Sequence, residues 1–124
     1  VGGSVNLTLV EETLPPFTTY AYIFTLTNSG TGVSGTITYS IPVHIGKAPI
    51  GSILGYYVSA TDCTTLNSGQ SCTISIDYDD GGVQTGACVI SHTPFIAYSN
   101  LIQSNTADLV GSYGWCGGGP AEDM

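Results

Sequence analysis

The alternation of apolar and polar residues along the chain predicts β-strands throughout its length. The clearest alternation lies at residues 71–78, where every second position is apolar. These apolar positions are Cys72, Ile74, Ile76 and Tyr78. A period of two residues is typical of a strand with one buried and one exposed face. Residues 5–10 alternate in the same way, and no segment shows a convincing helical period.

Turn residues separate the alternating segments from one another. Ser-Gly-Thr-Gly occupies residues 29–32, and Asp-Asp-Gly-Gly occupies residues 79–82, where we expect a hairpin because glycine accepts a positive φ. The predicted strands lie at residues 5–10, 20–27, 34–41, 53–60, 71–78, 83–91, 95–98 and 107–113. About seven to nine short strands of this kind predict an all-β fold, a β-sandwich.

Two stretches of the chain also resemble a known family. Residues 62–78 hold two cysteines around a Leu-Asn-Ser-Gly-Gln turn, and the second cysteine opens a Cys-Thr-Ile-Ser-Ile strand. Residues 22–31 contain Tyr-Ile-Phe-Thr-Leu-Thr-Asn-Ser-Gly-Thr. Both stretches resemble segments of the immunoglobulin-like domains, of the ASH/hydin-like group, in bacterial and archaeal surface proteins. The resemblance implies an immunoglobulin-like sandwich with a structural or binding role and no catalytic one.

The chain divides into three parts on composition. Residues 1–14 carry a short alternating strand, and the prolines Pro15 and Pro16 that follow break regular structure. Residues 15–113 form the expected sandwich body, and residues 114–124 form a glycine-rich tail. Because the first residue is valine and not methionine, we expect a mature exported product from which a signal peptide has been removed.

The charged residues limit the partners that the chain can bind. Its 124 residues carry 9 acidic side chains and 1 basic side chain, Lys47, for a formal net charge of −8. This balance argues against nucleic acid as a partner, because phosphate neutralisation needs several cationic contacts. No apolar run approaches the roughly 20 residues of a membrane-spanning helix, so we expect no membrane insertion. A mean hydropathy of +0.25 predicts a weakly solvated surface that is covered by other copies or by covalent glycans.

The four cysteines allow three disulfide pairings. A Cys63–Cys72 pair is favoured because the loop between them is short and both flank the entry to a strand, and the family resemblance implies the same pair. Cys88 and Cys116 would then form a second disulfide that ties the tail to the body. The alternative is a metal site or reactive thiols, but the cysteine spacing matches no zinc-binding motif.

Two further sets of residues are candidates for chemistry. Asp77, Asp79 and Asp80 are weak candidates for calcium ligands, since acidic hairpin turns are more often simply solvated and the segment lacks the later glutamate of an EF-hand. We therefore expect no resident cofactor. Asn6 opens the only Asn-x-Ser/Thr sequon of the chain, on the polar face of the first strand, and is the candidate glycosylation site.

Two classes of function fit these observations. The first is a structural subunit of an extracellular, pilus-like filament that is assembled head-to-tail from copies of the chain. In this hypothesis the N-terminal segment is a donor strand, whose Val5, Leu7 and Leu9 fill a groove in the next copy.

The second class is a discrete cell-surface adhesin, stalk or carbohydrate-binding module. Its sugar platform would consist of exposed aromatic side chains. The candidates are Tyr56, Tyr57, Tyr98 and Trp115. No nucleophile lies in a recognisable catalytic setting such as a Gly-x-Ser-x-Gly motif, so we expect no enzymatic activity.

Overall fold

The computed structural model describes residues 3–81 and 88–113, which fold as an all-β sandwich without helices. The strands of these described residues are β1 (Leu7–Glu11), β2 (Tyr22–Asn28), β3 (Ile37–Tyr39), β4 (Gly55–Thr61), β5 (Ser71–Asp79), β6 (Val89–Phe95), β7 (Ala97–Ser99), β8 (Ile102–Gln103) and β9 (Ala107–Tyr113). The predicted fold class is confirmed.

The strands form two layers, and all pairs of these strands are antiparallel. The first layer is a four-stranded sheet in the order β1-β2-β5-β4. The second layer holds a three-stranded sheet in the order β3-β7-β8 and a β6-β9 pair. Only Ile96 separates β6 from β7, and its carbonyl accepts a hydrogen bond from Ser40 N–H at 3.0 Å. These two groups of strands therefore belong to one layer.

The strand order of the four-stranded and three-stranded sheets matches that of a constant-type immunoglobulin sandwich. Such a domain sets strands A, B, E and D side by side in one sheet and strands C, F and G in the other. Here β1, β2, β5 and β4 occupy the first set of positions, and β3, β7 and β8 occupy the second. The match covers the order of these seven strands, and the β6-β9 pair is additional to it.

The core lies between the layers and consists of the inward positions of the alternating strands. Phe24 of β2 contacts Phe95 of β6, with ring centroids 5.3 Å apart. The predicted alternation of β5 is confirmed, since Cys72, Ile74 and Ile76 are buried. Other core members are Leu7, Leu9, Leu26, Ile37, Val58, Leu66, Ala97 and Leu109.

A loop at residues 42–54, the covering loop, packs on the outer side of the first sheet. Val58 N–H of β4 donates to Pro42 O at 2.8 Å, and Ala48 N–H donates to the Tyr57 hydroxyl at 3.0 Å. Several positions on the outer face of the sheet are therefore buried. They are Tyr57, Ser59, Ser75 and Asp79.

The hairpin expected at residues 79–82 includes a residue outside the described part of the chain, so it stays a prediction. Among the described strands, β5 pairs with β2 and β4, and β6 pairs with β9 in the other layer. The strand predicted at residues 83–91 overlaps β6 in part, and residues 82–87 lie outside the described residues. β8 was not predicted because two residues show no period.

Candidate functional site: the groove of the first strand

β1 lies at one edge of the first sheet and is the most N-terminal strand of the fold. It pairs with β2 in a register that places Leu9 opposite Leu26. Leu7 and Leu9 are 3% and 5% exposed, whereas Val10 is 52% exposed. Main-chain pairing together with alternate buried side chains is the way in which a sheet recognises an added strand. We call the surface that receives residues 3–11 the β1 groove.

The buried side chain of Asn28 joins this groove to two loops. Its Oδ1 accepts hydrogen bonds from Asn6 N–H at 3.2 Å and from Gly30 N–H at 3.0 Å. Its Nδ2 donates to Gly32 O at 2.8 Å and to Leu66 O at 3.0 Å. The full hydrogen-bonding capacity of the amide is therefore used inside the protein. Asn28 connects the N-terminal segment, the turn after β2 and the disulfide-bonded loop.

The groove extends beyond β1 itself. Residues 3–6 run on from the strand and bond to the turn at residues 29–32. Gly32 N–H donates to Ser4 O at 2.9 Å, and Ser4 N–H donates to Thr31 Oγ1 at 3.3 Å. Hydrogen bonds thus hold the chain from Ser4 onward.

Asn105 covers the outer edge of β1. Its Oδ1 accepts a hydrogen bond from Leu9 N–H at 2.7 Å, and its Nδ2 donates to Leu9 O at 3.1 Å. A neighbouring strand would bond to the same two groups, so the side-chain amide takes the place of a strand. Because open strand edges pair readily with other chains, Asn105 protects the middle of β1.

All three predicted donor-strand residues face the core. Val5 is half-buried and packs against the core, and Leu7 and Leu9 belong to it. In this structure they fill the groove of their own chain. Their donation to another copy stays a prediction.

The candidate glycosylation site is accessible. Asn6 and Thr8 lie on the exposed side of the N-terminal segment, and Asn6 Nδ2 donates to Ser29 Oγ at 2.8 Å. A glycan on this nitrogen would have room in solvent and would alter that one hydrogen bond. Glycosylation of Asn6 stays a prediction.

Cys63 and Cys72 form a disulfide, so the metal and reactive-thiol alternatives are wrong for this pair. The bond closes the loop that carries the buried Leu66 and thereby fixes one side of the β1 groove. A structural disulfide indicates an oxidising environment. The predicted partner of Cys88, Cys116, lies outside the described residues.

Asp79, one of the calcium candidates, is a buried anion held by the main chain. Its carboxylate accepts four N–H hydrogen bonds of 2.9–3.0 Å. The donors are Gly51, Ile53, Leu54 and Gly81. These bonds, led by that from Gly51, hold the pKa of the Asp79 carboxyl well below its usual range. A carboxylate surrounded by N–H donors lacks the oxygen neighbours that a calcium site requires.

The other two calcium candidates do not complete a site with Asp79. Among the described residues, one group of three metal-ligating side chains lies close together, and it consists of Asp62, Cys63 and Cys72. Two of these three are joined in the disulfide. Asp77, Asp79 and Asp80 therefore do not converge on a shared ion position.

Replacing Asp79 with asparagine should destabilise the fold at neutral pH, because the new NH2 group would face N–H donors of the covering loop. The folded-state pKa of Asp79 lies below its unfolded value of about 4. The stabilisation is therefore complete above about pH 4 and is lost as the pH falls further. Thermal denaturation from about pH 7 to pH 2 should show the Tm difference between wild type and Asp79→Asn narrowing below about pH 4.

Asp77→Asn is the matched control for this substitution, since Asp77 lies two positions earlier on the same face of β5. It should change the Tm less than Asp79→Asn does at neutral pH. A Tm difference for Asp79→Asn that widened on acidification would contradict the assignment of Asp79 as a stabilising buried anion.

The tyrosines expected to form a sugar platform belong mainly to the interior. Tyr56 and Tyr57 are 4% and 2% exposed, and the Tyr56 hydroxyl donates to Val110 O at 2.5 Å. Burial also raises the pKa of Tyr56. The platform hypothesis is therefore wrong for these two residues. Tyr98 is half-buried, and Trp115 lies outside the described residues.

Two asparagines of the groove were missed by sequence reasoning. Asn28 continues the inward series of Phe24 and Leu26 along β2, so a polar residue at a core-facing position was a signal of a satisfied buried amide. Asn105 precedes β9, and nothing in its sequence context distinguishes it from other loop asparagines.

Comparisons of the chain with protein-family models, with curated proteins and with solved structures found no match. The resemblance to ASH/hydin-like domains therefore stays a prediction. Within residues 3–81 and 88–113, no helix is long and apolar enough to cross a membrane.

Proposed function

We propose that the chain is the structural subunit of an extracellular, pilus-like filament, in which β1 of one copy fills the β1 groove of the next copy. The observation that carries this proposal is the way in which β1 joins the body. Residues 3–11 make the groove contacts, whereas residues 12–21, between β1 and β2, form no strand. The N-terminal segment can therefore leave one body and enter the same groove of another without changing any other strand.

Exchange of β1 between copies replaces each groove contact with an identical one. The free energy of exchange is then set by the connecting segment, by the protein concentration and by new contacts between the bodies. Residues 12–21 span at most about 35 Å when fully extended, so neighbouring bodies must lie close together. One-way donation produces an open fibre, whereas reciprocal donation produces a closed dimer.

The connecting segment holds a residue that favours its extension. Phe17 follows Pro15 and Pro16, has a φ of 67° and is 103% exposed. A bulky residue at positive φ is strained by about 1–3 kcal/mol, and the exposed Phe17 ring gains nothing from burial. Extension of the segment in an exchanged assembly would release the backbone strain and bring the ring to the junction between two copies.

Phe17→Gly should therefore reduce assembly more than Phe17→Ala does. Glycine adopts a positive φ without strain, whereas alanine keeps most of the strain and loses only the ring. Removal of about 1 kcal/mol of strain should raise the concentration for half-maximal assembly roughly fivefold, as measured by light scattering. Equal effects of the two substitutions would show that the ring and not the backbone strain controls assembly.

The surface supports an assembled state. Large apolar side chains are strongly exposed in the described part of the chain, and the chain as a whole carries few charges. They include Phe17, Ile45, Ile50, Leu54, Ile90 and Leu101. Large exposed apolar side chains on a chain with so few charges favour association, and copies of the chain would cover them in a filament.

The disulfide and the accessible sequon support an extracellular location. Cys63–Cys72 requires an oxidising environment to form and persist, and N-linked glycosylation at Asn6 would occur during export. Intact-mass spectrometry tests the second point. A mass well above 12.8 kDa would support a glycosylated subunit, and the unmodified mass would exclude it.

Electron microscopy of the native, unboiled protein tests the filament itself. We expect long fibres whose axial repeat is close to one domain length. Discrete small particles at every concentration would contradict the proposal. They would favour the discrete adhesin, stalk or carbohydrate-binding module, for which a glycan-array screen is the next experiment.

A further inference from the structure

Three glycines interlock where the N-terminal segment meets the turn after β2. A Cβ placed on Gly3 would lie 2.0 Å from Thr31 Oγ1 and 2.7 Å from Gly32 N. A Cβ on Gly30 would lie 2.1 Å from Ser4 O, and one on Gly32 would lie 2.6 Å from Gly3 O. Real Cβ atoms essentially never approach other heavy atoms within 3.0 Å. We call this contact between Gly3 and residues 30–32 the glycine slot.

The slot requires glycine for space. Neither Gly30 nor Gly32 has a positive φ, so at these two positions the facing atoms and not the backbone conformation exclude a side chain. Besides the Thr31 hydroxyl, the obstacles are main-chain atoms of the facing segment, which cannot rotate away as a side chain could. A side chain at residue 3 would therefore push the two segments apart and weaken the bond from Gly32 N–H to Ser4 O.

The slot also fixes the register in which a strand enters the groove. A slip of one residue would turn Leu7 and Leu9 from the core to solvent. A slip of two residues would keep each side chain on its face, but it would bring Val1 or Val5 to the position of Gly3. Both valines carry a branched Cβ, which the slot excludes. Only the observed register satisfies the core and the slot together.

We propose that the glycine slot is the selectivity element of strand exchange: it admits an extended N-terminal segment with glycine at the position of Gly3 and apolar side chains at the positions of Leu7 and Leu9. The ligand is the N-terminal segment of a second copy of this chain. The inference rests on the proposed exchange of β1. The outward positions, such as Thr8, are exposed and contribute little to the selection.

Peptides that correspond to residues 1–12 test this selectivity on the full-length chain. The wild-type peptide should compete for the groove, bind the chain in native mass spectrometry and shorten the filaments. The Thr8→Val peptide is the matched control and should act in the same way. The Gly3→Val peptide should bind at least about tenfold more weakly, because it must force apart two main-chain segments.

The possible outcomes distinguish selectivity by the glycine slot from the exchange of β1 itself. If the Gly3→Val peptide bound as well as wild type while a Leu9→Asp peptide did not bind, exchange would stand and slot selectivity would be overturned. If no peptide bound, exchange and the filament proposal would fail, and with them the selection of an incoming strand.

The full-length Gly3→Val and Thr8→Val variants then test whether the glycine slot holds residue 3 of its own chain. Amide hydrogen exchange at Gly32 should be faster in Gly3→Val than in Thr8→Val, because the bond to Ser4 O is weakened. Equal exchange in the two chains would show that residue 3 is not held by the slot at all and would overturn the inference on its own.

Discussion

Asn28→Ala should destabilise the fold by about 2–4 kcal/mol, as measured by chemical denaturation. The substitution removes four hydrogen bonds at once and leaves buried main-chain groups on three segments without their partner. Residues 3–6 occupy the β1 groove, and the loop that carries Leu66 forms one side of it. Amide hydrogen exchange at Asn6 and Gly30 should accelerate in the variant, because Asn28 Oδ1 accepts both bonds.

Two control variants separate the amide chemistry from the loss of volume. Asn28→Asp keeps the shape and the acceptor oxygen but places a second oxygen against the carbonyls of Gly32 and Leu66. It should therefore be at least as destabilising as alanine at neutral pH. Asn67→Ala removes an exposed asparagine and should change the free energy of unfolding by less than about 0.5 kcal/mol. A loss below about 1 kcal/mol for Asn28→Ala would show that the network does not hold the groove.

Leu9→Ala should cost about 2–5 kcal/mol of stability, whereas Val10→Ala in the same strand should cost less than about 0.5 kcal/mol. Leu9 is buried against Leu26 and the rest of the core, and Val10 projects from the opposite face. The difference between the two variants measures how much of the attachment of β1 comes from the core. Because exchanged and unexchanged copies use the same pocket for Leu9, the loss cancels in the exchange equilibrium, and assembly should change little as long as the chain stays folded.

Urea denaturation of both variants provides the measurement, and light scattering at matched concentration provides the readout of assembly. A small loss of stability for Leu9→Ala, similar to that for Val10→Ala, would mean that β1 is held by main-chain pairing alone. In that case the buried side chains of the incoming strand would contribute little to its selection. Selection of the incoming strand would then rest on the glycine slot alone.

The elements of the first sheet were predictable where one face of a strand meets the core. β5 alternates over its whole length, so its inward residues Ile74 and Ile76 could be named from sequence. β1 gave the same signal through Leu7 and Leu9. The period of two residues arises because the inward positions of these strands pack against the core.

The covering loop could not be predicted, because its contacts join residues that are distant in sequence. It buries Ser59 and Asp79 on the outer face of the sheet, where the alternation alone indicates solvent. The same limitation applies to Tyr57, which the sequence predicts as an exposed aromatic residue but whose hydroxyl accepts a hydrogen bond from the loop. Local pattern shows which face of a strand is apolar, but it does not show that a loop returns to cover the polar face.

The β1 groove, too, could be predicted only in part from the sequence. The buried leucines of β1 were predicted as a strand that fits a groove. The polar part of the groove was not, because the amides of Asn28 and Asn105 bond to main-chain groups up to 96 positions away in the chain. Such bonds leave no period in the sequence.

Disulfide trapping of β1 shows whether this strand passes between copies. Val10 lies directly opposite Thr25 in the β1–β2 register, and a hydrogen-bonded antiparallel pair has the Cα separation of about 5.5 Å that a disulfide needs. A Val10→Cys, Thr25→Cys chain should therefore cross-link on oxidation, with the two single variants as controls. If assembled subunits donate β1 in one direction, a non-reducing denaturing gel of the oxidised filaments will show a ladder of covalent multimers that collapses on reduction. Cross-linked monomer alone, recovered from the same filaments, would show that β1 stays in its own groove and would contradict strand exchange.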